Sequence, residues 1–340
     1  MNNEPFIKKR SSAIRLNKLI VRLALLLSFL AAVLIFFIVL TVYSSNRLMN
    51  VESSSTSNIP SNVLPSYSTC SFESFDEQTN LSGWLFKCEN PISTVIVVHD
   101  TGSNRLQFGV NMVDLIELLL ENNYNVFLFD LRNSGESDGD ISGYGYLEWQ
   151  DVIGAISQVR MISVTTDVIL YGIGSGCTAC CLAYEKLPQP NLSEVEYDKL
   201  SSKYTNLGFD RGYIKGMILD SPAKSSDDYI KPIVEQNELL GKITKNFVPL
   251  AIRFSAGEDS TVNISAEVSR MPIPICILYG GHDVFIGADN ITQLIDDRMR
   301  LNSNITESLM IPGAGYLEAF GTDNETYCNG IVSFLHKFFG

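Results

Sequence analysis

The sequence has few of the residues from which metal sites and disulfide scaffolds are built. It contains three histidines, which are scattered, and seven cysteines in 340 residues. A zinc site needs paired Cys-x-x-Cys or histidine spacings, and an odd number of cysteines in a chain of this length is not typical of a disulfide scaffold. We therefore expect neither a metal nor a cofactor.

Positive charge is also scarce beyond the N-terminus. The formal net charge is −13, yet the first 22 residues carry six basic residues against one acidic residue, a local charge of +5 that leaves −18 on the remainder. A surface that follows a phosphate backbone needs clustered lysine and arginine. The charge distribution therefore argues against nucleic acid as a partner.

An uncharged apolar segment follows this basic tail. Residues 23–43 contain 21 residues without a charge, enough to span roughly 31 Å as a helix, about the thickness of a bilayer core. A cleaved signal peptide is the alternative, but its apolar region is usually about 7–15 residues and ends at a small-x-small site, which VLTVYSS does not supply. The segment predicts an uncleaved transmembrane helix.

The flanking charges predict the topology of this single-pass protein. Six basic residues precede the apolar segment and Arg47 alone follows it closely, which favours a cytosolic N-terminus and a folded domain that is lumenal or extracellular. Residues 44–68, rich in Ser, Asn and Pro, predict a stalk, with the folded domain starting near Thr69. Six glycosylation sequons follow, as expected of a glycoprotein in that compartment: Asn80, Asn191, Asn263, Asn290, Asn304 and Asn324.

Two kinds of environment are expected for the cysteines. Cys177, Cys180 and Cys181 lie in one predicted helix and Cys276 lies in an apolar strand, so these four are interpreted as small buried apolar residues. Cys70 and Cys88 flank a predicted hairpin. In an oxidising compartment they could form a disulfide, and the sequence leaves open whether they do.

Short apolar strands alternate with amphipathic helices from residue 92 onward, which predicts an α/β fold with a mostly parallel sheet covered by helices on both faces. The predicted strands are 94–99, 125–130, 167–171, 214–220, 273–279 and 305–311, and the predicted helices are 106–122, 147–162, 176–187, 288–301 and 326–339. Two stretches interrupt the alternation: a polar segment, 188–213, and residues 222–271, which we interpret as a small lid inserted after a strand.

The ends of the predicted strands carry a set of motifs. These are VIVVHDTGSNR, LFDLRNSGESDGD, ILYGIGSGC, LYGGHDVFI and IPGAGYLEAF. In their order and spacing they resemble the α/β-hydrolase superfamily, in particular its membrane-anchored serine hydrolases and serine-peptidase-like members, over roughly residues 69–340. The resemblance implies an oxyanion turn, a supporting turn, a G-x-S-x-G nucleophile elbow, an acid turn and a Gly-x-Gly-His base turn, in that order.

The resemblance places a glycine at the nucleophile position. Gly172 and Gly176 fix the frame of the elbow, and its centre is Gly174, which has no side chain that could attack a substrate. Ser175 is the alternative nucleophile, but that frame puts Ile173 and Cys177 where the elbow needs glycine, and β-branched residues fit a crowded turn poorly.

The base position is substituted as well. Tyr316 stands where the family has histidine, and the tyrosine hydroxyl, with a reference pKa near 10, is a poor general base at neutral pH. Asp283 occupies the acid position, and its neighbour His282 is interpreted as a loop residue. His336, in the last predicted helix, is interpreted as a surface or core residue far from the site.

The oxyanion turn is partly retained. The resemblance implies the backbone N–H groups of Thr101 and Ser175 as oxyanion donors. Asp100 replaces the usual glycine there and would oppose a developing negative charge, while His99 is interpreted as a structural residue of the turn. Four further residues match the supporting turn and are assigned no direct catalytic role: Asp130, Arg132, Gly135 and Ser137.

Three functions are compatible with these residues. The favoured one is a membrane-tethered, catalytically impaired serine hydrolase or peptidase homologue that binds a small-molecule, lipid or peptide ligand, or a protein partner. The second is an active hydrolase of ester or peptide bonds that uses Ser175 with His99 or His282. The third is a structural or adhesive domain whose pocket is filled. Fold and activity must be argued separately.

Overall fold

The computed structural model describes residues 5–51, 63–258 and 261–340, and its centre is an eight-stranded sheet. The strand order is β1-β2-β4-β3-β5-β6-β7-β8. The pairs β1–β2 and β2–β4 are antiparallel and all later pairs are parallel. The strands are β1 (Tyr67–Glu73), β2 (Asn80–Phe86), β3 (Ser93–Val98), β4 (Tyr124–Phe129), β5 (Val168–Ile173), β6 (Ile214–Asp220), β7 (Ile275–Gly280) and β8 (Thr306–Ile311).

Helices cover both faces of this sheet. The α-helices are α1 (Pro5–Met49), α2 (Met112–Glu121), α3 (Trp149–Ile162), α4 (Ser175–Lys186), α5 (Glu194–Tyr197), α6 (Ser202–Leu207), α7 (Asp227–Asn237), α8 (Gly241–Thr244), α9 (Val248–Ser255), α10 (Ile264–Arg270), α11 (Ala288–Asn302), α12 (Ala319–Thr322) and α13 (Asn324–Phe339). Every residue of β3, β4 and β5 is buried, as expected when helices pack on both faces. The predicted fold class is confirmed.

The six predicted strands and five predicted helices are all present, and most of their ends differ by one or two residues. The largest difference is at α2, which begins at Met112 whereas the pattern predicted a start at Leu106. The chain before α2 begins as a loop, because the buried Arg105 binds the carboxylate of Asp130 through both its backbone and its guanidinium, and it continues as a short 3-10 helix at Gly109–Asn111. A tertiary ion pair thus shortens a helix that the local sequence favours.

Helix α1 is long and apolar enough to cross a membrane over Lys18–Met49. It also corrects the predicted stalk, because the helix continues beyond Tyr43 to Met49 and ends inside the folded domain. Leu48 and Met49 are buried in the core, and the Met49 carbonyl accepts a hydrogen bond of 2.7 Å from the backbone N–H of Ser142. Residues 44–51 are therefore part of the domain. The middle of the predicted stalk, 52–62, lies outside the described residues.

The two segments that interrupt the alternation are insertions beside the sheet. Residues 188–213 contain the short helices α5 and α6, and residues 222–271 contain four helices, α7 to α10, between β6 and β7. We call this second insertion the lid, and its role as a lid stays a prediction. Its first helix reaches the end of β5, where the motifs meet.

The possible disulfide between Cys70 and Cys88 is not formed, and both cysteines are free. Cys70 lies inside β1 opposite Gly83, and Cys88 comes five residues after Gly83. Five residues of extended chain separate the two by about 16 Å, whereas bridged Cα atoms lie roughly 4–7 Å apart. The remaining five cysteines are buried in the described part of the chain, including the four for which burial was predicted.

The side chains of the sequons lie at the surface. Asn80, Asn191, Asn263, Asn290 and Asn304 are exposed and Asn324 is half-buried. Asn304, which precedes a core strand, is thus accessible. Glycosylation of these asparagines stays a prediction.

Candidate functional site

The turn between β5 and α4 has glycine at the position where the resemblance predicts a nucleophile. Gly174 has φ 55° and ψ −125°, a conformation that costs a residue with a side chain roughly 1–3 kcal/mol. A Cβ atom at Gly172 would lie 2.7 Å from the Cα atom of Cys177, and one at Gly176 would lie 2.2 Å from the Val98 carbonyl oxygen. The close approach of the backbone therefore fixes the frame with Gly174 at its centre.

The carboxylate of Asp100 occupies the space that a nucleophile would need. A Cβ atom built on Gly174 would lie 2.5 Å from the Asp100 Oδ1 and 2.5 Å from the Tyr316 hydroxyl. Asp100 Oδ1 accepts hydrogen bonds from the backbone N–H of Ser175 at 2.8 Å and from its hydroxyl at 2.7 Å. Burial raises the pKa of the Asp100 carboxyl, and these hydrogen bonds oppose the shift. The Asp100 carboxylate is thus fixed against the elbow by its hydrogen bonds with Ser175.

Both backbone donors of the oxyanion turn are engaged within the protein. The Ser175 N–H donates to Asp100, as above, and the Thr101 N–H donates to the Ser175 Oγ at 2.9 Å. An oxyanion hole acts through donors that point at the reacting oxygen. In this arrangement the two groups stabilise the turn itself.

Tyr316 and two other aromatic residues pack around the elbow. The Tyr316 hydroxyl donates to the Asp100 Oδ2 at 3.2 Å, and its ring lies 4.6 Å from the ring of Phe285 and 6.2 Å from that of Tyr229. Tyr229, from α7 of the lid, donates its hydroxyl hydrogen to the Gly174 carbonyl at 2.7 Å. Burial and the neighbouring Asp100 hold the pKa of Tyr316 well above its usual value, so its hydroxyl stays protonated.

Asp283 lies at the acid position after β7 with one free acceptor. Its Oδ1 accepts the backbone N–H groups of Phe285 and Ile286 at 2.8 and 2.9 Å. Its buried Oδ2 has no hydrogen-bond partner among the described residues, and burial raises the pKa of this carboxyl. In a working triad that second oxygen would accept from histidine.

Ser175 is poorly placed as an alternative nucleophile. Its side chain is buried, with 1% of the residue exposed, and its Oγ is bound by Asp100 and Thr101. Both ring nitrogens of the buried His99 are engaged, Nδ1 with the Asp100 carbonyl at 2.7 Å and Nε2 with the Leu131 N–H at 3.0 Å. His282 is exposed. The predicted structural role of His99 fits this geometry.

The supporting turn after β4 is organised by buried ion pairs. The Asp130 carboxylate binds the Arg105 guanidinium at 2.6 Å, and both side chains are fully buried. Arg132 binds Asp151 at 2.7 Å, and the Ser137 hydroxyl donates to the Asp130 carbonyl at 2.6 Å. The Asp130–Arg105 pair joins this turn to the loop that follows Asp100, and the other two contacts lie within the turn or link it to α3. His336 lies exposed on α13.

Sequence reasoning missed a buried polar chain behind the elbow. Asp220, the last residue of β6, accepts the Tyr327 hydroxyl at 2.7 Å, and Tyr327 in turn contacts the Tyr171 hydroxyl. The Asp220 carbonyl also accepts the Gly174 N–H at 2.9 Å. Burial raises the pKa of the Asp220 carboxyl to about 6. The aspartate at the end of this otherwise apolar strand is the feature of the sequence that could have predicted the buried polar chain.

We expect Asp220→Asn to stabilise the domain at neutral pH. Between the unfolded pKa near 4 and the folded pKa of about 6, the folded state binds more protons than the unfolded state, so the stability of the wild-type chain falls as pH rises through that window. The variant lacks this loss and should gain on the order of 2 kcal/mol at pH 7 but little at pH 4. Thermal unfolding at both pH values, with the exposed Asp140→Asn as a control for net charge, measures the difference. Equal effects at the two pH values would contradict the assignment.

The fold places the chain among α/β hydrolases in structure. The Pyrococcus furiosus esterase Pf2001 superposes with a TM-score of 0.64 and 19% identity, covering 86% of this chain and 99% of the esterase. The α/β hydrolase GrgF from Penicillium sp. sh18 gives 0.55 and 15%, covering 81% and 99%. Est1E from Butyrivibrio proteoclasticus, solved with ferulic acid, gives 0.55 and 16%, covering 78% and 98%. The chain therefore has the α/β-hydrolase fold.

The curated proteins that are similar in sequence are described as uncharacterized. The uncharacterized protein YfhR of Escherichia coli K12 is 27% identical over 268 residues, which cover 76% of both proteins. YfhR of Salmonella typhi is 26% identical over 275 residues, covering 76% of this chain and 77% of the relative. No family model matches the chain.

Proposed function

We propose that the protein is a catalytically silent member of the α/β-hydrolase fold class, anchored to a membrane by α1, that works by binding a ligand. The observation that carries the loss of catalysis is the carboxylate of Asp100, which fills the space beside Gly174 and binds the Ser175 N–H. A nucleophile, a base and an open oxyanion hole are all required for acyl transfer. In this proposal, the residues at these positions supply neither the nucleophile, nor the base, nor the open oxyanion hole.

An active hydrolase that uses Ser175 is the second candidate. Its support is the 2.7 Å hydrogen bond from the Ser175 hydroxyl to the Asp100 carboxylate, which has the form of a nucleophile with a base. Against it stands the burial of Ser175, since a nucleophile must reach a substrate carbonyl. The rings of Tyr316, Tyr229 and Phe285 pack together beside the elbow, which also counts against this second candidate. The same packing would fit a third candidate, a structural domain with a filled pocket.

We expect the purified wild-type chain to show no labelling by a fluorophosphonate probe, because that reagent requires an activated and accessible serine. Ser175→Ala should give the same blank result. An active esterase labelled in parallel is the positive control. Labelling of the wild-type chain that disappears in Ser175→Ala would overturn the proposal in favour of the active hydrolase.

We further propose that α1 crosses the membrane once with the N-terminus in the cytosol, so that the folded domain is lumenal or extracellular. In sealed microsomes, residues from about 47 onward should then resist protease until detergent is added. A mobility shift after deglycosylation should report occupied sequons. A protected N-terminal tag together with a digested domain would contradict this topology.

A further inference from the structure

A cavity lies between α1 and the lid. It has a volume of about 510 Å³, within the roughly 300–1,000 Å³ of small-molecule sites. One wall consists of five residues of α1 between Leu34 and Val42, and the other consists of five lid residues between Ile243 and Phe254. All ten are apolar except Thr41. In the following, "the groove" means this cavity.

The lid is attached to the C-terminal part of α1. The less exposed residues of α1 follow a helical spacing along one side, at Val33, Phe37, Leu40 and Ser44. At the end of this side the Ser44 hydroxyl donates to a carboxylate oxygen of Glu238 at 2.9 Å, and Arg47 lies 3.6 Å from the same carboxylate. The buried end of α1 in the domain core completes the attachment. The lid therefore cannot leave the helix without breaking these contacts.

This attachment sets the depth of the lid. From Leu34 to Val42 the helix rises about 12 Å, nearly half of the roughly 30 Å hydrocarbon core. Those residues form the C-terminal half of the uncharged segment 23–43, so lid residues beside them lie at the depth of one leaflet. Phe254, Phe247 and Ile243 are 65%, 54% and 50% exposed. Such apolar exposure is costly in water and favourable in hydrocarbon.

We propose that α8 and α9 are inserted in the leaflet that surrounds the C-terminal half of α1, and that the groove holds an acyl chain of a lipid from that leaflet. The proposal rests on the membrane placement of α1 given above, and it is independent of whether Ser175 has activity. Half of the groove wall belongs to the helix that faces lipid, so the hydrocarbon around that helix has direct access to it. The lining contains no charged side chain that would select a polar ligand.

Photolabelling from within the bilayer tests the groove directly. The full-length chain is reconstituted in phosphatidylcholine vesicles that contain phosphatidylcholine with a diazirine near the end of one acyl chain, and labelled residues are mapped after illumination. We expect label on both walls of the groove, including Phe247 and Leu250 of the lid. Ala251→Trp, which fills the groove, should lose most of the lid label. Val39→Trp, at the same depth on the outer face of α1, should retain it.

Four results would overturn the proposal, and they fail at different steps. Absence of label from the whole of α1 would overturn the membrane placement as well. Label on α1 without label on α9 would place the lid outside the leaflet. Unchanged lid label in Ala251→Trp would show that the acyl chain lies on the outside of α9. Absence of lipid label from the groove, together with dimers formed by a separate bifunctional cross-linker at residues of the groove, would assign the groove to a second copy of the chain.

Discussion

Restoring three positions should return esterase chemistry to this scaffold. In Gly174→Ser combined with Tyr316→His and Asp100→Gly, the serine regains space, because the two groups within 2.5 Å of its Cβ atom are removed together. The Asp283 Oδ2 is a buried acceptor without a partner among the described residues, and the resemblance assigns it to the new histidine. The Ser175 N–H is released from Asp100. We expect fluorophosphonate labelling and hydrolysis of activated esters roughly 10²-fold or more above the wild-type chain.

Three further variants test whether the activity comes from the rebuilt catalytic residues. The double variant with Tyr316→His and Asp100→Gly, which keeps Gly174, should remain unlabelled. Adding Ser175→Ala to the triple variant should raise the activity further, because the Thr101 N–H is then released as a second oxyanion donor. Adding Asp283→Asn should lower it. A triple variant that folds and yet stays unlabelled would contradict the assignment of these positions.

Gly174→Ser alone should instead destabilise the domain by about 3 kcal/mol, since backbone strain and overpacking each cost roughly 1–3 kcal/mol. Asp100 and Tyr316 remain in place in the single variant, and the serine side chain collides with both. Thermal unfolding measures the difference in stability between the single and triple variants. Equal destabilisation of the single and triple variants would show that backbone strain at position 174, and not the collision with Asp100 and Tyr316, causes the loss of stability.

Asp130→Asn should cause the largest loss of stability among isosteric changes near the site. Asp130 is fully buried and accepts three hydrogen bonds, from the backbone and guanidinium of Arg105 and from the Glu136 N–H. The variant leaves the buried Arg105 guanidinium with only the exposed carboxylate of Glu136, and breaking a buried ion pair costs about 3–5 kcal/mol. At about 2–4 °C per kcal/mol for a domain of this size, the melting temperature should fall by roughly 10 °C.

Glu136→Gln is the matched control for this prediction. Glu136 binds the same guanidinium nitrogen of Arg105 at 2.9 Å, but its side chain is 56% exposed. Exposed ion pairs are worth about 0–1 kcal/mol, so this variant should unfold within a few degrees of the wild-type chain. Similar losses in both variants would show that burial of the Asp130–Arg105 pair does not decide the stability of the loop.

Local patterns predicted the layers of this fold because each strand and helix carries its own signal. The buried strands β3, β4 and β5 are short apolar runs, and such runs predict a sheet covered on both faces. The elbow frame was also readable, because Gly172 and Gly176 are spaced as the backbone approach requires. The start of α2 was not, since an ion pair with Asp130, distant in sequence, holds Arg105 in a loop.

The sequence by itself determined the order of strands and helices, and its resemblance to α/β hydrolases predicted glycine at the centre of a strand-to-helix turn, with an aspartate and a tyrosine at two other strand ends. Only the tertiary structure decided that the Asp100 carboxylate turns into the elbow, that both oxyanion donors are engaged, and that α1 ends inside the domain rather than in a stalk. The physical reason is that composition and periodicity report which residues prefer water or hydrocarbon. Which donor meets which acceptor is decided by loops brought together from distant parts of the chain.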